Sequence, residues 1–161
     1  MRKSLEVISL LILALMAWIT WSALAGPQKL PDRIPTHFDA AGNPNGWGTP
    51  GMLLLLPVVA VMLYLVLTVA SRFPAAFNFP VRVRATVRLQ AERITLDMMA
   101  WIKAELVLLL ALLQSAMIRA AQGGDPRLNP LMVPIAIVLI FMTIGWHMVA
   151  VVRLARSASQ G

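Results

Sequence analysis

Two groups of side chains in this sequence have the types and spacing to do chemistry. The first is Asp32, His37 and Asp39, where an imidazole and nearby carboxylates can ligate a divalent metal or share a proton. Two residues apart on an extended strand, His37 and Asp39 point to one face. Three readings stand for His37: it shapes its loop through backbone carbonyls, it recognises a peptide or ligand, or it binds metal. The second group is Asp97, Lys103, Glu105 and His147, ionisable residues inside or beside long apolar runs. Charges there are costly, so they report a polar pathway, a proton relay, or hydrogen bonds between helices.

The elements that must hold these groups are membrane helices. Of 161 residues, 59% are hydrophobic and 13% charged, and there is no cysteine. So short a soluble domain could not hide that much apolar surface, and the composition excludes disorder, a disulfide scaffold and a thiolate zinc site. Four segments approach the roughly 20 residues that span a bilayer, at about 4–24, 51–70, 94–120 and 131–152. The expectation is an all-α integral membrane protein, a four-helix antiparallel bundle in one domain, with an ordered extracytoplasmic loop at 26–50 and a basic cytoplasmic loop at 71–93.

The first segment also reads as a signal peptide, with Arg2-Lys3, an apolar run and Ala23-Leu24-Ala25 before Gly26. Its apolar run is longer than the roughly 7–15 residues of such leaders, which favours a retained helix. Pro57, inside the second segment, predicts a kink. Pro130 and Pro134 fall in the first turn of the fourth helix, and residues 122–126 read as a tight turn.

The third segment is marginal on its own. Lys103 and Glu105 together cost about 5–7 kcal/mol at the membrane centre, and nine Leu, Ile and Val offset roughly 3–5. It therefore needs helical partners. Lys103 is expected to snorkel to the headgroups, Arg93 to pair with Asp97, and Glu105 to approach His147 directly or through water.

A net charge of +7 suggests nucleic acid in a soluble protein, but here its distribution reports topology. Nine Lys and Arg lie on the side of both termini and the second loop, against four on the other. That bias places the protein in a cytoplasmic membrane, multi-pass, with both termini inside. Arg72, Arg82, Arg84, Arg88 and Arg93 are then expected to meet anionic lipid headgroups. No base-reading element appears, so nucleic acid is not an expected partner. No catalytic signature, cofactor motif or metal-ligand set is present, so a non-enzymatic protein without cofactor is expected.

Residues 26–50 differ from the rest, with five prolines and four glycines. The residue before Pro35 favours extended backbone, Asn43-Pro44-Asn45-Gly46 is turn chemistry, and Trp47 suits an interfacial anchor. Leu30-Pro31-Asp32-x-Ile34-Pro35-x-His37-Phe38, then Gly42 and Trp47-Gly48, resembles the signature of a bacterial membrane family of unknown function. That family includes the SdpI-type immunity proteins, which protect cells against a secreted killing peptide. The 77–81 stretch and Trp101-x-Lys103-x-Glu105-Leu106 also look like that family. Asp39, Asn45 and Pro50 depart from its usual residues, and SdpI-type proteins have additional helices.

The resemblance implies a membrane protein whose outside loop, through Ile34, Pro35, His37, Phe38, Asp39, Gly42 and Trp47, recognises a peptide or partner. Two other classes are open: an accessory subunit of a larger membrane complex, and a small proton-coupled carrier using Glu105 and His147. Such a carrier is expected to form a homo-oligomer.

Overall fold

The computed structural model describes residues 1–27 and 29–160. The chain runs through helix α1 (Arg2–Ala25), strands β1 (Ile34–Phe38) and β2 (Pro44–Gly48), and helices α2 (Leu55–Ala70), α3 (Ala85–Ala121) and α4 (Met132–Gln160). Three stretches, Arg2–Ala25, Pro50–Ala70 and Met132–Ser159, are long and apolar enough to cross a membrane. This is a multi-pass membrane protein. The remaining helix, α3, is 37 residues long and carries the charged residues of the third segment.

α3 is the hub, packed against α1, α2 and α4, while α1 touches α2 more lightly. Alanines make the close approach possible: Ala91, Ala100, Ala104, Ala116 and Ala121 of α3 are all buried. The outward faces of α1, α2 and α4 are rich in exposed Leu, Val, Ile and Trp, the surface a lipid solvent wants.

Element bounds shift from expectation where charge and helix propensity compete. α3 starts at Ala85, nine residues before the expected position, so Arg88 and Arg93 belong to a helix and not to a loop. Arg84 is extended and ends the preceding segment. Arg88 then pairs with Glu92 one turn on, at 3.0 Å, which supports a polar helical extension beyond the apolar part. α4 likewise continues eight residues past 152, with its last turns polar. Pro134 lies in the first turn of α4, and Pro130 precedes it.

Pro57 falls in the first turn of α2, which a 3-10 turn at Pro50–Leu54 leads into. The missing N–H of Pro57 therefore coincides with a change of helix type at the helix start, and the expected mid-helix kink is replaced by this transition.

Between α1 and α2 the chain forms an antiparallel hairpin with register Ile34–Gly48, Pro35–Trp47, His37–Gly46 and Phe38–Pro44. The irregular spacing leaves Thr36 of β1 and Asn45 of β2 out of register. Ile34 is fully buried against Ala23, Leu53, Met117, Ile118 and Ala121, with Phe38 packed beside it. Burying Ile34 contributes about 1.5–3 kcal/mol. The hairpin is thereby tied to the same end of the bundle as the 122–131 connection.

Candidate functional site

The hairpin is built by its own sequence. Asp39 Oδ1 accepts from the backbone N–H groups of Ala41 and Asn43 at 2.9 and 2.8 Å, and Asp39 N–H donates to the Asn43 carbonyl at 2.9 Å. These bonds, that from Asn43 N–H most of all, hold the Asp39 carboxyl below its usual range. Asp39 is therefore a turn-closing residue, its carboxylate engaged by the turn's own N–H groups. Gly42 takes φ +81°, and its carbonyl accepts from Leu128 N–H at 2.8 Å. A Cβ at Gly42 would overlap the Leu128 carbonyl, so only glycine lets the two loops meet.

Packing against the bundle sorts the remaining residues. Ile34 and Pro35 are buried, whereas His37, Asn45 and Trp47 are exposed, Trp47 by 53%. His37 Nδ1 is hydrogen-bonded to Asn45 Oδ1 across the strands. The face beyond the bundle thus carries an imidazole–amide pair and an indole. Beneath it lies a cavity of about 300 Å³ lined by Thr36, Phe38, Leu56, Met117, Leu128 and Val133 among others. Among the described residues, no group of three His, Cys, Asp or Glu is placed to hold a metal ion.

The ionisable residues of α3 fall into two separate sites. Lys103 is 2% exposed and does not snorkel: its Nζ donates to Glu6 Oε1 and, at 3.1 Å, to Thr68 Oγ1. The Tyr64 hydroxyl donates to Glu6 Oε2 at 2.8 Å, and Lys103 Nζ stands 5.0 Å from the Tyr64 ring centroid. α1 and α2 offer this set of partners nearby, so the ammonium finds compensation inside the bundle and need not reach water. Asp97 pairs with Arg2 at 3.1 Å in place of Arg93, because α1 lies against that face of α3.

Glu105 faces α4, on the other side. Its Oε1 accepts from Thr143 Oγ1 at 2.5 Å. His147 Nδ1 is bonded to the Thr143 carbonyl at 2.8 Å. Glu105 and His147 share Thr143 but are not bonded to each other. Thr143 is one turn before His147 on α4, so its hydroxyl bonds Glu105 while its carbonyl meets His147.

The five basic residues are not equivalent. Arg84 Nη1 donates to the Ala158 carbonyl at 2.7 Å. Arg88 donates to the Ala75 carbonyl at 3.0 Å and lies 5.7 Å from the Phe79 ring centroid. These two tie the 71–84 loop and the end of α4 to α3. Arg72, Arg82 and Arg93 lie at the same end of the bundle.

Several residues were missed at the level of sequence. Glu6 near the start of α1 is one of them, the acceptor for Lys103 Nζ, and the signal for it was a carboxylate inside the first apolar segment. Gln114, fully buried, donates to Thr20 Oγ1 and to the Leu53 carbonyl, both at 2.8 Å. The signal for it was Pro57, whose absent N–H leaves the Leu53 carbonyl needing a donor.

Residues 10–61 match the model of a domain of unknown function, DUF1648. That stretch takes in much of α1, the whole hairpin and the first part of α2, so the hairpin site lies within it. The chain is also 30% identical over 122 residues to an uncharacterized protein of Archaeoglobus fulgidus. The alignment covers 70% of this chain and 61% of that protein. No solved structure matches the chain. The chain is thus a membrane protein similar to proteins of unknown function.

Proposed function

We propose that the protein is a non-enzymatic binding protein of a cytoplasmic membrane, whose hairpin face recognises a peptide or the outer part of a partner. The observation that carries this reading is a braced hairpin with a chemically distinctive outer face. Ile34 anchors the hairpin, Asp39 closes its turn and Gly42 clamps it to Leu128, while His37, Asn45 and Trp47 face outward. A braced loop loses little freedom on binding, and an exposed indole beside an imidazole–amide pair offers apolar area with hydrogen bonds. The resemblance to the SdpI-type immunity proteins points to the same end of the molecule and to a peptide as its ligand.

In this reading α3 is the fourth span, its Lys103 and Asp97 compensated by Glu6 and Arg2. The nine-to-four distribution of Lys and Arg supports cytoplasmic termini and an outside hairpin.

The test is photo-crosslinking in cells of the source organism from a benzophenone amino acid at position 47. A covalent adduct with a peptide or an extracytoplasmic protein segment, lost when His37 and Asn45 are both replaced by Ala, supports the reading. Crosslinks to lipid alone would refute it.

A further inference from the structure

A separate site lies between α3 and α4, outside the stretch that holds the hairpin. An apolar groove of about 310 Å³ runs between the two helices, walled by Leu108, Leu109, Leu112, Ile135, Ala136 and Leu139, with Glu105 in its lining. A second cavity, about 420 Å³, continues past the same carboxylate and is lined by Trp101, Trp146 and His147, with Met1 at its edge. Glu105 and Leu139 belong to both, so one carboxylate stands where an aliphatic groove meets an aromatic one.

That carboxylate is incompletely served. Oε1 has the Thr143 hydroxyl, but Oε2 is buried and has no donor among the described residues. No ion pair reaches Glu105 from any described residue, the Met1 amino group and His147 included. Lys103 is committed to Glu6, Arg2 to Asp97, and His147 Nδ1 to a backbone carbonyl. An acidic group in apolar surroundings without a cation of its own is complementary to one brought by a ligand. The terminal torsion of a glutamate is broad and two-fold, so either oxygen can be turned to the groove. Indole faces nearby favour positive charge, and aliphatic walls favour hydrocarbon.

We propose that this groove binds a lipophilic organic cation, its charge at Glu105, its apolar body along α3 and α4 and its edge against Trp101 or Trp146. The size suits a single small amphiphile, since ligand pockets typically hold roughly 300–1,000 Å³.

The experiment measures tetraphenylphosphonium binding by equilibrium dialysis to the full chain in phosphatidylcholine nanodiscs. Saturable binding is expected, weakened about tenfold or more in Glu105→Gln, the effect of removing one charged partner in a site shielded from water. Ala136→Phe fills the groove while keeping the carboxylate in the chain and is expected to abolish the same binding, and unaltered binding by it would overturn the proposal. It also keeps the test decisive should Glu105→Gln fail to fold. No saturable binding to the wild-type chain, or equal binding by a folded Glu105→Gln, would overturn the proposal; the second outcome would make the groove a slot for acyl chains. Neither outcome bears on the hairpin reading, because neither substitution lies near its face.

Discussion

Gln114 donates its side-chain N–H to the carbonyl oxygen of Leu53, which lies four residues before Pro57 and so receives no helical N–H from that position. The same amide donates to Thr20, so one buried side chain of α3 ties α1 and α2 together. Gln114→Leu keeps the volume but strands the Leu53 carbonyl, and is expected to destabilise the bundle by about 1–3 kcal/mol. In a Pro57→Ala background, residue 57 regains an N–H for Leu53. There the cost of Gln114→Leu should shrink by roughly 0.5–1.5 kcal/mol. Thermal unfolding of the four proteins in detergent gives the coupling; strict additivity contradicts it.

Lys103 and Glu6 make the second tie between helices, and its strength depends on both charges being present. Lys103→Met leaves a carboxylate without its cation. Glu6 is 35% exposed, so solvent screens part of the penalty. The expected loss is about 1–3 kcal/mol, below the roughly 3–5 seen when a fully buried pair is broken. Lys103→Met with Glu6→Gln should recover part of that loss, and a double variant worse than the single one would contradict the pairing. Denaturant midpoints in mixed micelles report both.

Membrane class, the three apolar spans and the turn-rich segment between the first two were legible because apolar runs and turn residues are local signals. Partner choice was not. Lys103 was expected at the headgroups because snorkelling depends only on its own helix, while the alternative needed Glu6, Thr68 and Tyr64 from two other helices. Glu105 was matched to His147 from depth along the helices, and the two line one cavity. The bonds that each makes to Thr143, one turn earlier on α4, could not be read from depth. That Asp39 closes the turn through the Ala41 and Asn43 N–H groups was not legible, because those bonds depend on the turn's backbone geometry. Pro57 was read for the bend it causes and not for the acceptor it frees.

Gly42 and Gly123 separate two uses of positive φ, at +81° and +83°. Nothing lies within 4 Å of a Cβ at Gly123, so Gly123→Ala is expected to cost only the left-handed strain, about 1–2 kcal/mol. Gly42→Ala adds an overlap with the Leu128 backbone and should detach the 122–131 connection from the hairpin. Amide exchange at Leu128, whose N–H donates to Gly42, should quicken sharply in Gly42→Ala and little in Gly123→Ala. Equal exchange in the two variants would rule out the clamp.

Asp39 gives the outer face a definite response to acid. Its carboxyl lies below the ordinary 3.8 in the folded hairpin, chiefly because Asn43 N–H donates to it. A group whose folded value is depressed contributes stability that is present above its unfolded value and lost as pH falls through its folded one. The turn should therefore hold at neutral pH, begin to weaken below about pH 4, and be without this contribution once the folded carboxyl is protonated. Asp39→Asn keeps an oxygen for the two N–H groups but cannot titrate, so the acid-dependent part should vanish while the turn persists. The exchange rate of the Asn43 amide against pH, corrected for intrinsic exchange, reads this directly. An identical acid limb in wild type and Asp39→Asn would show that another group governs the hairpin and would remove Asp39 from its place as the residue that fixes the turn.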